Sequence, residues 1–231
     1  MNYELKERAF GFLLVWTVIL FTLAAAVYGI AGNGSLLARE MLRHAPPETT
    51  GLPEAEYEGV GRMTAGYLTG REPVFQYTFS DAEGRKYTCF QHHEADHMAD
   101  CRNLISLAGT LRWAAGGLAL LLAGAGILSG RRKAFSGGIF TGLCAAALVF
   151  AGLTAWALAD FDGLFVTFHR VAFTNEGWLL NPRTDLLIRL MPVSFFIALG
   201  TRILMWVPAA GVLLLGAGTI LRHAGRVRDE E

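Results

Sequence analysis

The chain is poor in cysteine and has no net charge: 3 cysteines among 231 residues, and 20 lysines and arginines against 20 aspartates and glutamates. Three cysteines are too few for a disulfide scaffold, and none stands in a Cys-x-x-Cys. A four-helix thiol-oxidising protein, which needs paired external cysteines, therefore does not fit. Cys89 and Cys101 lie outside the long apolar runs and are the two that can pair with each other, whereas Cys144 falls mid-run and reads as a small hydrophobe. The balanced charge offers no electrostatic footprint for nucleic acid. There is no Gly-rich phosphate loop, no internal repeat and no Gly-x-Ser-x-Gly elbow, so nothing indicates a covalent acyl-serine step.

Apolar residues, by contrast, make up 53% of the chain. They gather in runs at residues 9 to 31, 105 to 128, 135 to 158 and 193 to 221, each at or above the ~20 residues that cross a bilayer core. This predicts an α-helical integral membrane protein with four transmembrane helices. The first run, preceded by Lys6 and Arg8 and containing Ala24 to Ala26, has some character of a secretory signal. It is too long for a signal h-region and three more runs follow, so it reads as an uncleaved anchor.

Lysine and arginine near the span ends set the orientation. Lys6 and Arg8, then Arg131, Arg132 and Lys133, then Arg222, Arg226 and Arg228 all fall on one side. Both termini are then cytoplasmic in a multi-pass cell-membrane protein. Five segments follow: residues 1–31 (N-terminus and span one), 32–104 (extracytoplasmic cap), 105–158 (spans two and three with a basic loop), 159–192 (second extracytoplasmic segment) and 193–231 (span four and tail). Every histidine except His223 is external.

Within the cap, residues 45–53 read as a Pro-rich loop and residues 54–68 as a helix ending at Gly70. Residues 74–79 alternate, with Phe75, Tyr77 and Phe79 on one face, before a turn at residues 81–84 and a second strand at 86–90. The expectation is a small α+β cap. From about His93 the chain turns helical and enters span two without Pro or Gly until Gly109, which sets His97 about two turns above the lipid. Span three runs out through Trp156, Phe161 and Phe165 to His169, and Thr184 or Asp185 suits the N-cap of a short helix at residues 186–190.

Two clusters carry candidate chemistry. In the first, Glu94, His97 and Asp100 recur every three residues, so either carboxylate suits a hydrogen bond to one imidazole nitrogen that frees the other as a base. The same stretch contains His93-Glu94-x-x-His97, the spacing of a zinc metalloprotease helix, with a third ligand to come from His169 or Asp185. Asp96 sits where such helices are usually apolar. The second cluster runs from Phe168-His169-Arg170 and Phe173 through Trp178, Arg183, Asp185 and Arg189 to Pro192. A histidine and three arginines beside an aromatic run suit an anionic or ester-bearing headgroup. A capped interfacial loop, in a tetraspan protein without chemistry, accounts for Trp178 and Asp185 but not for the basic residues.

The order of these parts resembles the bacterial lipoprotein intramolecular transacylases. A first span is followed by an external domain with Tyr67-Leu68-x-Gly70, then Glu94-x-x-His97-Met98-x-Asp100 and two spans. Phe168-His169 with Phe173 comes next, then Trp178-Leu179-Leu180-Asn181-Pro182-x-Thr184-Asp185-x-Leu187-Ile188, and Pro192 before the last span. The likeness covers essentially the whole chain. Cys101 stands where an aliphatic residue is expected, and His93 is outside the pattern, which weakens the zinc reading.

The resemblance implies a substrate whose N-terminal cysteine carries a thioether-linked diacylglyceryl group. The sn-2 acyl chain moves to the cysteine's own α-amino group, giving a lyso-form lipoprotein. It implies His97 and His169 as catalytic residues, Glu94, Asp100 and Asp185 as supports, and Arg170, Trp178 and Tyr67 as substrate contacts, with no cofactor and no metal. The partners are a diacylated lipoprotein in the outer leaflet and the phospholipid bilayer; no oligomeric state follows. An α-amino group of pKa ~7.7 to 8 must lose a proton to attack, and the departing glycerol oxygen must gain one. His169 is expected to take the amine proton, and His97, oriented by Glu94 or Asp100, to stabilise the oxyanion and protonate the leaving oxygen. The reverse assignment is the alternative.

Overall fold

A computed structural model describes residues Tyr3–Asp229, with side chains described through Ala224. Arg226 and Arg228 of the basic tail lie outside the described side chains. In chain order the elements are α1 (Tyr3–Ala31), α2 (Gly34–His44), α3 (Pro47–Thr50), a 3-10 turn (Glu54–Glu56), α4 (Tyr57–Leu68), β1 (Thr78–Ser80), β2 (Lys86–Thr88), α5 (His92–Leu128), α6 (Arg132–Ala159), α7 (Phe161–Ala172), α8 (Leu186–Leu190), α9 (Val193–Leu204) and α10 (Trp206–Asp229).

Four stretches among the described residues are long and apolar enough to cross a membrane: α1, α5, α6 and Val193–Ala224. Helix α5 has 37 residues. At ~1.5 Å per residue it is about 55 Å long, against a hydrocarbon core of ~30 Å. The surplus falls at its polar N-terminal end, residues 92 to 102, ahead of the apolar run.

Two breaks interrupt helices that the apolar runs predict as continuous. Asp160, at φ −155° and ψ 81°, ends α6, so the segment bearing His169 is a separate helix, α7, rather than the outer end of span three. The fourth span divides at Met205 into α9 and α10. Pro208 follows by three residues; lacking an N–H, it cannot bond the Leu204 carbonyl.

The chain forms two compact units. The first comprises residues 1–25, 110–161 and 204–231. Its core is Leu14, Val15, Ile19, Leu122, Phe135, Ile139, Ala146 and Leu214. Glycines allow the backbones of α1 and α6 to approach: a Cβ on Gly138 would collide with the Arg8 carbonyl, and one on Gly11 with that of Phe135. Small residues at such crossings are the usual device of helix packing in lipid.

The second unit comprises residues 26–109 and 162–203 and contains both histidine clusters. Its core joins Leu37, Met41, Tyr57, Val60, Phe75, Phe90, Met98, Leu187, Leu190 and Phe195. Helix α2, absent from the sequence reading, is capped by Asn33, whose side chain accepts from the Leu36 N–H at 3.0 Å. It packs closely on α4, where a Cβ on Gly61 would lie 2.7 Å from that of Ala38. Residues 47–50, expected as loop, form the single turn α3.

The strands are shorter than predicted. β1 and β2 pair antiparallel over three residues each, Thr78↔Thr88 to Ser80↔Lys86, with Phe79 stacked on Tyr87. The ladder stops where a side chain replaces it: the Gln76 amide donates to the Phe90 carbonyl at 2.7 Å and accepts from the Phe90 N–H at 3.1 Å. Phe75 turns inward onto Tyr67 and Phe90. The cap is therefore chiefly helical, with one short hairpin.

Candidate active site

The N-terminus of α5 is built around Glu94, which is fully buried. One carboxylate oxygen accepts from the Gln91 N–H at 2.7 Å, three residues back, as in a capping box. The other accepts from the Leu187 N–H at 2.7 Å. A single carboxylate thus caps α5 and α8 together, satisfying amides that would otherwise be orphaned at two helix starts. Asp185 occupies the position before α8 but does not cap it with its side chain. Its carboxylate instead accepts from the Thr184 hydroxyl (2.6 Å), the Asn181 N–H (2.8 Å) and His93 Nε2 (3.0 Å). Burial acts to raise the Asp185 pKa, but these hydrogen bonds outweigh it and hold the carboxyl below its usual value. The same carboxylate raises the His93 pKa.

Glu94 and His93 are thereby committed to docking α8 on α5, and one turn further along α5 comes His97. Although 72 residues of sequence separate them, the His97 and His169 rings lie 6.2 Å apart, centre to centre, inclined by 31°. Each is 8% exposed. Phe173 stands edge-on to His97 at 5.1 Å and 5.5 Å from His169. Phe165 and Trp178 lie 4.1 and 5.1 Å from His169. The two imidazoles share an aromatic enclosure that leaves little of either ring exposed.

The ring nitrogens have different surroundings. His169 Nδ1 is 2.8 Å from the Phe165 carbonyl, one helical turn back. A carbonyl only accepts, so Nδ1 carries the hydrogen and Nε2 of the neutral ring carries the lone pair. His97 Nε2 lies 3.6 Å from Cys101 Sγ, and its Nδ1 is buried without a protein partner. Burial, reinforced by His169, pushes the His97 imidazole down to about 4 against a small upward pull from Asp100. Burial likewise lowers the His169 pKa, partly offset by the Phe165 carbonyl. Both rings are neutral at pH 7.

The remaining expected site residues are placed variously. Neither Glu94 nor Asp100 has a hydrogen bond to His97: Asp100 accepts from the Asn175 side-chain amide at 2.8 Å, tying α5 to the segment after α7. Trp178 and Arg170 line a shallow depression with Phe173, Asn175 and Leu179. Tyr67 is in the core, packed on Phe75 with the Arg102 guanidinium 5.0 Å over its ring, and is not brought to the histidines. Arg189 turns inward to the Thr50 carbonyl at 3.1 Å. Cys89 and Cys101 are free thiols, not a disulfide.

His93, Glu94 and His97 have the zinc-helix spacing, but their side chains diverge to Asp185, to two backbone amides, and to His169 with Cys101. Among the described residues no group of three or more metal-ligating side chains gathers. Sequence reasoning missed Cys101 as a neighbour of His97. It also missed the pair between buried Glu40 and Arg202 (2.7 Å), which joins α2 to α9. An arginine inside an apolar run was the available signal for the latter.

A family model described as lipoprotein intramolecular transacylase Lit matches residues 12–196. No curated protein sequence matches. The fold is similar to that of the membrane-integral lipoprotein intramolecular transacylase Lit of Bacillus cereus, with a TM-score of 0.74 at 19% identity, covering 96% of this chain and 98% of that one. Two structures of the Bacillus cereus protein with one histidine replaced, by arginine or by alanine, match with a TM-score of 0.71 at 16% identity. They cover 96% of this chain and 95% and 96% of theirs, respectively.

Proposed function

This chain belongs to the lipoprotein intramolecular transacylase family, and we propose that its histidine pair moves the sn-2 acyl chain of a diacylglyceryl lipoprotein onto the α-amino group of the same N-terminal cysteine. The protein is a membrane acyltransferase. The observation that carries the mechanistic reading is the apposition of two neutral, buried imidazoles presenting different nitrogens.

His169 is the base. Its Nδ1–H is held by the Phe165 carbonyl, so once the ammonium has released one proton to solvent, Nε2 takes the second proton, which the nitrogen must lose as its bond to the ester carbonyl forms. His97 donates a hydrogen bond to the oxyanion of the tetrahedral intermediate, a role for a neutral ring in a poorly hydrated site. On collapse the C–O bond breaks, the amide C–N bond remains, and the proton taken by His169 goes to the departing glycerol oxygen. The lowered pKa of His169 leaves its Nε2 unprotonated and able to accept at neutral pH. Donor and acceptor belong to one molecule, so holding the headgroup in an attack geometry supplies much of the acceleration.

Trp178 and Phe173 flank the acyl ester, and exposed Arg170 meets the lipid or peptide at the edge of the depression. Glu94, Asp100 and Asp185 position elements rather than react. The basic residues Lys6, Arg8, Arg131, Arg132, Lys133 and Arg222 favour a cytoplasmic location for both termini, with the histidines at the outer leaflet. Expression in a bacterium lacking its own lipoprotein N-acylation tests the reading. Mass spectra of lipoprotein N-terminal peptides should show N-acylated, S-monoacylglyceryl cysteine; diacylglyceryl cysteine with a free amine as the sole product would overturn it.

A further inference from the structure

His97 has one ring nitrogen against a sulfur and the other against nothing. A neutral imidazole has one N–H and one lone pair, and which nitrogen holds which is set by the hydrogen bond made at the other. For His169 a backbone carbonyl decides. For His97 the contact at hydrogen-bonding distance is the Cys101 thiol, four residues on along α5, at 3.6 Å from Nε2. We propose that Cys101 is a positioning residue that donates its S–H to His97 Nε2, so that the hydrogen sits on Nδ1 and Nδ1–H is the donor to the oxyanion.

Three observations converge on this. A thiol sulfur is a poor acceptor and a weak donor, while the imidazole lone pair is a good acceptor, so S–H to nitrogen is the favoured direction. The thiol keeps its hydrogen: burial, with Asp100 adding to it, pushes Cys101 up to about 12. His97 Nδ1 is buried on a ring only 8% exposed and has no protein partner. A buried N–H left unsatisfied is costly and uncommon in a folded protein. It is accounted for if a substrate oxygen completes it. The two rings then hold the same Nδ1–H tautomer but turn different nitrogens to the substrate, His169 its Nε2 lone pair and His97 its Nδ1–H, with the His97 lone pair turned away onto Cys101. A donor and an acceptor are thereby presented to one reacting centre without any change of protonation before the amine attacks.

The inference rests on the role proposed for His97, and its test separates the two. Nitrogen-15 spectra of histidine-labelled protein in detergent report the His97 tautomer without turnover, assigned by its loss in His97→Gln. The wild-type protein should show His97 protonated at Nδ1, and Cys101→Ala should shift the population toward Nε2–H. In the same preparations Cys101→Ala should lower kcat about fivefold with KM little changed, the scale of one weak hydrogen bond. Cys101→Ser, which restores a donor, should recover most of that loss. A wild-type His97 protonated at Nε2, or a Cys101→Ala protein with an unchanged tautomer, overturns the role of Cys101. The predicted Nδ1–H tautomer in a protein whose His97→Gln variant stays fully active would instead overturn the role of His97.

Discussion

Replacing Glu94 by glutamine leaves its size and shape almost intact and removes one acceptor. The carboxylate receives the Gln91 and Leu187 amides at 2.7 Å each, and the residue is fully buried. A glutamine has one oxygen, so whichever way its amide is turned, an NH₂ faces one of the two N–H groups. One charge-assisted bond is lost and a buried donor is left unpaired, for which about 2–3 kcal/mol is a reasonable cost. At ~2–4 °C per kcal/mol for a chain of this size, the midpoint of thermal unfolding should fall by about 5–10 °C. The assay is tryptophan fluorescence in detergent during heating, in a background where Trp16, Trp113, Trp156 and Trp206 are phenylalanine, so that Trp178, 5.1 Å from His169, reports on the site. Glu94→Asp, too short to reach both amides, should fall at least as far. A shift below about 1 °C for Glu94→Gln would show that the shared cap does not hold α5 and α8 together.

Other outcomes follow from the same structure. His169→Ala and His97→Ala should each reduce transacylation by at least about 100-fold, the usual scale for loss of a general base or oxyanion donor, measured as N-acyl product per unit time. His93→Ala should retain transacylation, and a strong chelator should not inhibit it; abolition by either would restore the zinc reading. His93 has a raised pKa in the folded protein, so its contribution to stability is full below pH ~6.5 and is lost as pH rises through that raised value. The difference in midpoint between wild type and His93→Gln should therefore shrink on going from pH 6 to pH 9. Arg202→Met removes the cation that reaches Glu40 from α9, leaving Arg43 at 3.1 Å on α2 itself, and a double-mutant cycle with Glu40→Gln should give a coupling energy above about 1 kcal/mol.

The spans were legible because hydropathy accumulates over some twenty residues, and single substitutions do not disturb such a signal. The breaks at Asp160 and Met205 are local and leave average hydropathy unchanged; Pro208 was the available clue for the second. The hairpin was read too long because Phe75 alternates with Tyr77 and Phe79 in sequence, whereas in the fold the Gln76 side chain takes the place of the ladder. Both histidines were readable as candidates, since imidazole beside carboxylates or aromatics stands out. Their 6.2 Å approach depends on how α5 and α7 pack, which no local pattern encodes. Sequence spacing points to Glu94 or Asp100 as the carboxylate beside His97, whereas Glu94 accepts from an amide 93 residues further on and Asp100 from Asn175. Asp185 likewise reads as an N-cap by position but spends its oxygens on Asn181, Thr184 and His93.

The most direct test uses purified protein in detergent with a synthetic diacylglyceryl lipopeptide isotopically labelled in its sn-2 chain, mixed with an unlabelled lipopeptide of different peptide mass. Tandem mass spectrometry of the products locates the label. The expected result is labelled chain on the α-amine of the peptide that carried it, no crossover onto the other peptide, and no product from His169→Ala. Label appearing on the unlabelled peptide, as free fatty acid, or on the amine with His169→Ala at the wild-type rate would contradict intramolecular transfer by the histidine pair.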